Sequence, residues 1–217
     1  MKYYLLLTAA ALIGYLLGSI NTAVILSKLL YKKDIRLQGS GNAGMTNMQR
    51  VYGKKAALFT FLGDFCKGII AVVIGRLLLG IFASKGLHGA CIAGAFAVVG
   101  HTWPLYFGFR GGKGVLTAFS VMLVIAPLPA LVAFAVFLIT VVITRYVSLG
   151  SLLAAASLPA CVYFLGDILR SQSGLGPVFY LSVFVAVLII VRHHANIVRL
   201  LRGKESKLNL RTKNRKD

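Results

Sequence analysis

The chain has 217 residues, room for one domain, and 58% of them are hydrophobic while only 13% are charged. Soluble domains carry about 45–50% apolar and about 25% charged residues, so a water-soluble fold is excluded, and such apolarity excludes disorder as well. Lys and Arg number 24 against five acids, Asp34, Asp64, Asp167, Glu205 and Asp217, too few carboxylates for chemistry that clusters them around two metal ions.

A bilayer-spanning helix needs about 20 mostly apolar residues. Tyr3–Leu30 supplies the first, and its apolar run continues well past a signal-peptide cleavage point, predicting an uncleaved span. Ala56–Leu79 and Leu87–Phe107 supply the second and third. The run Val115–Thr144 is too long for one span and is interrupted at Pro127 and Pro129. Proline removes a donor and clashes with the preceding turn, which predicts a short helix Val115–Ala126 and another at Pro129–Thr144. Leu149–Leu169 and Pro177–Val198 complete seven, with a six-span chain carrying one kinked helix as the alternative. Cys66, Cys91 and Cys161 lie in apolar runs without CxxC spacing, as buried, inert thiols do.

Positive charge selects the cytoplasmic side of short loops. With seven spans, loops 31–55, 108–114 and 145–148 and the tail from Arg192 hold 18 Lys and Arg, against Lys2, Arg76, Lys85 and Arg170 on the other side. The expected protein is therefore an all-α, polytopic membrane protein with its N-terminus outside and its C-terminus in the cytoplasm. The basic tail 199–217 is expected to be solvated and drawn to anionic lipid head groups. No basic motif interleaved with aromatics points to nucleic acid.

The unusual polar residues collect in the four inward segments. Gly39-Ser40-Gly41-Asn42-Ala43-Gly44-Met45-Thr46-Asn47, with Arg50, combines glycines that can form an anion-binding nest with Ser, Asn and Thr donors and a fixed charge. Gly111-Gly112-Lys113-Gly114 opens a helix at Val115, an arrangement suited to phosphate. It is not a Walker A loop, because Phe107 and Gly114 stand where that pattern needs Gly and Ser or Thr. His101, just upstream, suits helix packing and catalysis equally. Ser148 could cap the next helix. His193 and Asn196 are three apart and share a helix face, whereas His194 points elsewhere. Asp64 and Lys67, also three apart, would pair within the second span. No metal site is expected, and no cofactor. Glu205 is read as answering Arg202 or Lys204. The sum is an inward-facing cationic site for a phosphate-bearing substrate, beside hydrocarbon that suggests a lipid second substrate or product.

Together these segments resemble the bacterial PlsY family, the acyl-phosphate:glycerol-3-phosphate acyltransferases. The likeness runs from Gly18-Ser19-Ile20 to Glu205 and is carried by G-S-G-N-A-G-M-T-N with Arg50, Asp64-x-x-Lys67-Gly68, G-H-T-W-P with G-F-R-G-G-K-G, R-Y-V-S-L, and R-H-H-A-N with Glu205. Met45 departs from a usual Ala, Arg110 from a usual Lys, and Ala195 from a frequent acid. The resemblance implies acyl transfer from acyl phosphate to the 1-hydroxyl of glycerol 3-phosphate, giving lysophosphatidate and phosphate at the inner face of a bacterial cell membrane. It assigns Arg50, Lys113 and His193 to a charge clamp on glycerol phosphate, oriented by Ser148 and Asn196. Ser40, Gly41 and Asn42 would cradle the donor phosphate, with Thr46 and Asn47 as secondary candidates and Gly111, Gly112 and Gly114 as loop contacts. No H-x-x-x-x-D pair and no nucleophile with an evident base is present, which favours direct attack over an acyl-enzyme. The expected partners are the two substrates and membrane lipids, the expected state a monomer, and the rival class a small organophosphate or anion transporter.

Overall fold

A computed structural model describes residues 1–166 and 175–208. These form nine helices: α1 Lys2–Ser19, α2 Thr22–Tyr31, α3 Met45–Ala83, α4 Gly86–Thr102, α5 Val115–Ile125, α6 Pro127–Thr144, α7 Val147–Gly166, α8 Leu175–Arg192 and α9 His194–Leu201. The protein is an all-helical integral membrane protein. Five stretches are long and apolar enough to cross a bilayer: Lys2–Tyr31, Met45–Ala83, Gly86–Phe107, Pro127–Thr144 and Val147–Leu165. Gly176–Arg192 with His194–Leu201 makes a sixth if the pair, bent by 58°, counts as one. Helix α5 has 11 residues, about 16 Å at 1.5 Å per residue, roughly half the hydrocarbon thickness. The predicted end of the sixth span at Leu169, Arg170 and the tail beyond Leu208 lie outside the described residues.

Several predicted helices differ in their boundaries. The first is broken at Ile20–Asn21, where Asn21 caps α2 by accepting the Val24 N–H at 3.1 Å. The second is longer than Ala56–Leu79 and is interrupted at Gly53, whose φ of +85° suits glycine and no bulky residue. The third ends at Thr102, with Leu105–Phe107 forming a separate 3-10 turn. Helix α6 starts at Pro127 rather than Pro129, because proline is tolerated in a first turn whose N–H groups have no helical partner anyway. The last predicted span breaks at His193. Cys66 is exposed and Cys161 half-buried, so only Cys91 matches the expectation of a buried thiol.

Helix α4 is central, packing on α1, α3, α5 and α8. In lipid, helices associate through close backbone packing rather than hydrophobic burial, and small residues provide it. Gly14 and Gly18 of α1 lie directly on the Ala93 and Ala97 carbonyls of α4, and Gly100 on the Tyr15 carbonyl. Gly75 of α3 and Gly89 of α4 meet in the same way. A second layer is ordinary apolar packing of Val72, Val98, Val121, Met122, Val185 and Leu188 among α3, α4, α5 and α8. Hydrogen bonds fasten the α1–α4 end: Tyr15 Oη donates to Trp103 O at 3.0 Å and Leu105 N to Ser19 Oγ at 3.2 Å.

Candidate active site

The first polar loop, 32–44, folds around two side chains. Asp34 accepts the Arg36 backbone N–H and, from the Arg36 guanidinium, bonds of 3.0 Å at Oδ1 and 2.7 Å at Oδ2. The Arg36 hydrogen bonds hold the Asp34 carboxyl down to about 2 against its partial burial. The same guanidinium donates to Phe107 O at 2.6 Å and Arg110 O at 3.1 Å, tying this loop to the one after α4. Asn47, fully buried, is the second anchor. Its Oδ1 accepts the Ser40 N–H at 2.9 Å, and its Nδ2 donates to Gln38 O at 2.9 Å and Asn42 O at 3.0 Å. The Gly41 N–H is likewise taken, by Gln38 O. The nest expected at Ser40 and Gly41 is thus closed on itself, and the amides of Asn42, Ala43, Met45 and Thr46, at the uncapped start of α3, have no partner among the described residues. Arg50 is exposed and makes no ion pair there.

The second loop, 103–114, follows the same logic. Helix α4 ends with unsatisfied carbonyls, and Gly112 N donates to His101 O and Gly111 N to Thr102 O, both at 3.1 Å. These amides therefore terminate α4 and do not face a ligand. The start of α5, whose N-cap Gly114 makes no side-chain cap, and the Lys113 ammonium beside it are the positive groups this loop presents. Gly112 is hemmed in: a methyl there would collide with His101 Nε2 and stand 2.7 Å from Ala43 O. Arg192 Nη2 donates to Gly112 O at 3.4 Å, and its guanidinium lies 5.6 Å from the Trp103 ring centre. Between the two loops opens a cavity of about 660 Å³ lined by Arg36, Arg110, Arg192, Gly41 and Gly111.

The third part is the break between α8 and α9. His193 there has φ −98° and ψ 8° and is 2% exposed. Its Nδ1 lies 2.8 Å from Ile189 O, an acceptor, so Nδ1 carries the proton and donates. Asn196, also buried, accepts a very short hydrogen bond from Lys113 Nζ at Oδ1 and donates from Nδ2 to Glu205 Oε1 at 2.6 Å. Ser148 Oγ donates to the same Glu205 oxygen at 2.9 Å, and Arg199 Nε to Oε2 at 2.7 Å. Burial works against the Glu205 charge, but the hydrogen bonds from Arg199, Asn196 and Ser148 hold its carboxyl below the usual range. Burial pushes the Lys113 ammonium down to about 8; Glu205 supports its charge, while Arg199, Arg192 and Arg50 oppose it.

The structure therefore brings Lys113, Ser148 and Asn196 into one network, with His193 beside it and Arg50 near enough to act on Lys113 electrostatically. His194 is exposed. Glu205 answers Arg199, Asn196 and Ser148, not Arg202 or Lys204 as the sequence suggests. The tail leaves α9 at Leu201 and folds back until Leu208 N donates to Arg145 O at 2.7 Å, with Lys207 over the Tyr146 ring.

Comparison with known proteins places the chain in a family. The glycerol-3-phosphate acyltransferase family model matches residues 8–203. A glycerol-3-phosphate acyltransferase of Syntrophotalea carbinolica is 44% identical over 206 residues, 95% of this chain and 97% of its own. The crystal structure of PlsY (YgiH), an integral membrane glycerol 3-phosphate acyltransferase, in its glycerol 3-phosphate form, superposes with a TM-score of 0.79 at 36% identity, covering 96% of each chain. Its lysophosphatidic acid form gives 0.77 at 35% identity, covering 94% of this chain and 95% of that one. With matches along nearly its whole length, the chain belongs to the glycerol-3-phosphate acyltransferase family.

Proposed function

We propose that this protein transfers a fatty acyl group from acyl phosphate to the 1-hydroxyl of glycerol 3-phosphate, giving lysophosphatidate and inorganic phosphate for phospholipid synthesis. The observation that carries the reading is an imbalance of charge: Lys113, Arg192 and Arg199 gather near the α8–α9 break, where Glu205 is the one carboxylate among the described residues. Such a site is completed by a dianion, and the solved relative was crystallised in a glycerol 3-phosphate form.

In this reading Lys113, His193 and Arg50 hold the glycerol phosphate, and Ser148 and Asn196 orient it. Glu205 fixes the Asn196 amide so that its oxygen aims the Lys113 ammonium. The donor phosphate lies toward the start of α3, against the amides of Asn42, Ala43, Met45 and Thr46, with Ser40 and Gly41 shaping the loop. Acyl phosphate is a mixed anhydride with a good leaving group, so positioning and charge stabilisation supply the catalysis. The hydroxyl attacks directly, and a substrate phosphate accepts its proton. The N-terminus is outside, the site opens to the cytoplasm, and the membrane is the bacterial inner membrane.

The test is purified protein with acyl phosphate and glycerol 3-phosphate, following phosphate release. Turnover with acyl phosphate and not with acyl-CoA is expected. No turnover with acyl phosphate, together with glycerol 3-phosphate uptake into proteoliposomes, would overturn the proposal in favour of a transporter.

A further inference from the structure

Asp64, Lys67 and His101 form a buried polar cluster that the proposed chemistry does not use. Asp64 is 1% exposed and Lys67 5%, both in the membrane-crossing part of α3. Ionisable groups at that depth are costly and are kept for a reason. Lys67 Nζ lies 2.9 Å from Asp64 Oδ1 and 3.0 Å from His101 Nδ1, and it donates to Ile20 O at 2.8 Å. Ile20 is where α1 breaks, so the ammonium joins three elements: the α1–α2 break, α3 and the end of α4. With Lys67 donating, Nδ1 of His101 accepts, and the Nε2 edge of the ring faces outward from the cluster.

That edge rests on Gly112. The ring stands where a Gly112 side chain would begin, and the carbonyl of His101 itself receives the Gly112 N–H. The next residue is Lys113. On the other side of the loop, Thr117 in the first turn of α5 donates its hydroxyl to the Asp64 carbonyl at 3.3 Å, and Gly68 lets Ser120 close onto α3. Both ends of the segment that carries Lys113 are thus fixed to the same few residues of α3 and α4.

We infer that Asp64, Lys67 and His101 are a positioning unit for the Gly111–Gly114 loop, setting the place of the Lys113 ammonium through the His101–Gly112 contact. The inference rests on the proposed role of Lys113 in holding glycerol 3-phosphate. The unit touches no substrate; it acts through one glycine.

His101→Asn is the informative variant, because Asn keeps an acceptor for Lys67 near the Nδ1 position, leaves the ion pair intact and removes the ring from Gly112. Small misplacements of a binding group are expensive, so KM for glycerol 3-phosphate should rise about tenfold or more, with kcat within about threefold and the melting temperature near wild type. Gly112→Ala, which adds a methyl without removing any polar group, should show the same split. The double variant should be no worse than Gly112→Ala alone, since both changes break one contact. An unchanged KM in His101→Asn, a loss of melting temperature alone, or KM effects that multiply in the double variant would each overturn the positioning role. Wild-type protein run alongside separates the two ideas: if it too fails to turn over acyl phosphate and glycerol 3-phosphate, the proposed function is what has failed, and the loop is then read by hydrogen exchange of residues 108–114. There, faster exchange in His101→Asn supports the positioning unit, and unchanged exchange overturns it.

Discussion

Two of the charge clusters among the described residues are built to opposite specifications. The inner one, Asp64 with Lys67 and His101, is closed: one carboxylate meets one ammonium, and the remaining lysine proton goes to a backbone carbonyl. The outer one, at the α8–α9 break, is open: Glu205 pairs with Arg199 and supports the charge on Lys113, while Arg192 and Arg50 add further positive charge near Lys113, and Arg199 is partly exposed. A cluster whose charges are paired internally fixes geometry. An open cluster with excess cation is stable in water, and under the proposed function an anion completes it. The difference predicts that removing a charge from the first cluster appears in folding, whereas damage to the second appears in function.

The largest effect should come from breaking the closed cluster. Asp64→Ala strands Lys67 in a dry interior, and removing one partner of a buried pair costs about 3–5 kcal/mol. The expected result is a large drop in melting temperature or failure to accumulate in the membrane. A variant with wild-type stability would show that the cluster is hydrated and the contrast false.

Next is Lys113→Ala in the open cluster. Losing a charge-assisted contact to phosphate costs about 1.5–3 kcal/mol, a fall on the order of 10- to 100-fold in kcat/KM, with no loss of melting temperature because a partly desolvated ammonium is removed. Near-normal turnover would take Lys113 out of the site.

His193→Ala should then weaken glycerol 3-phosphate binding about tenfold, the order of one buried hydrogen-bonding group, while the exposed His194→Ala stays near wild type. Titration of binding in both variants decides it, and a reversed order would move the site to the other side of the break.

The smallest effect is a pH dependence. Lys113 is pushed down to about 8, so the free enzyme loses its ammonium as pH rises through that value, and kcat/KM should fall on the alkaline side of about 8. Bound phosphate favours the charged form, which places the limb in kcat higher. Because Glu205 supports the Lys113 charge, Glu205→Gln should move the kcat/KM limb to lower pH. A limb that stays put in Glu205→Gln would show that the two groups are uncoupled.

What could be read from the sequence followed from local rules. The start of α5 at Val115 is marked by the glycines before it, and the apolar runs locate the spans. The pairing of His193 with Asn196 was reached by assuming a continuous helix; the helix is broken there, yet His193 becomes the N-cap of α9 and Asn196 a first-turn residue, and both remain buried. That the amides of Gly111 and Gly112 go to the last carbonyls of α4 is not legible, because no local rule pairs that loop with the end of that helix. Asn47 was read as a secondary substrate contact, and its amide proves to be engaged by its own loop. Glu205 was illegible as a partner of Ser148, 57 residues away, because only the folding back of the tail joins them. Its scarcity was the available signal: one of five acids, close behind Asn196.

The seam of Gly14, Gly18 and Gly100 between α1 and α4 has a consequence for where the reaction takes place. Because backbone meets backbone there, with no side chain to yield, α1 and α4 cannot slide along one another, and the bonds from Tyr15 to Trp103 and from Leu105 to Ser19 sit at the end of that rigid contact. The seam is therefore a ruler. It measures a fixed length down from the apolar start of α1 and sets the level at which loop 103–114 emerges, and with it the height of the Lys113 ammonium relative to the apolar helices. One residue inserted in α1 before Gly14 would slide the scale by about 1.5 Å and turn it by about 100°.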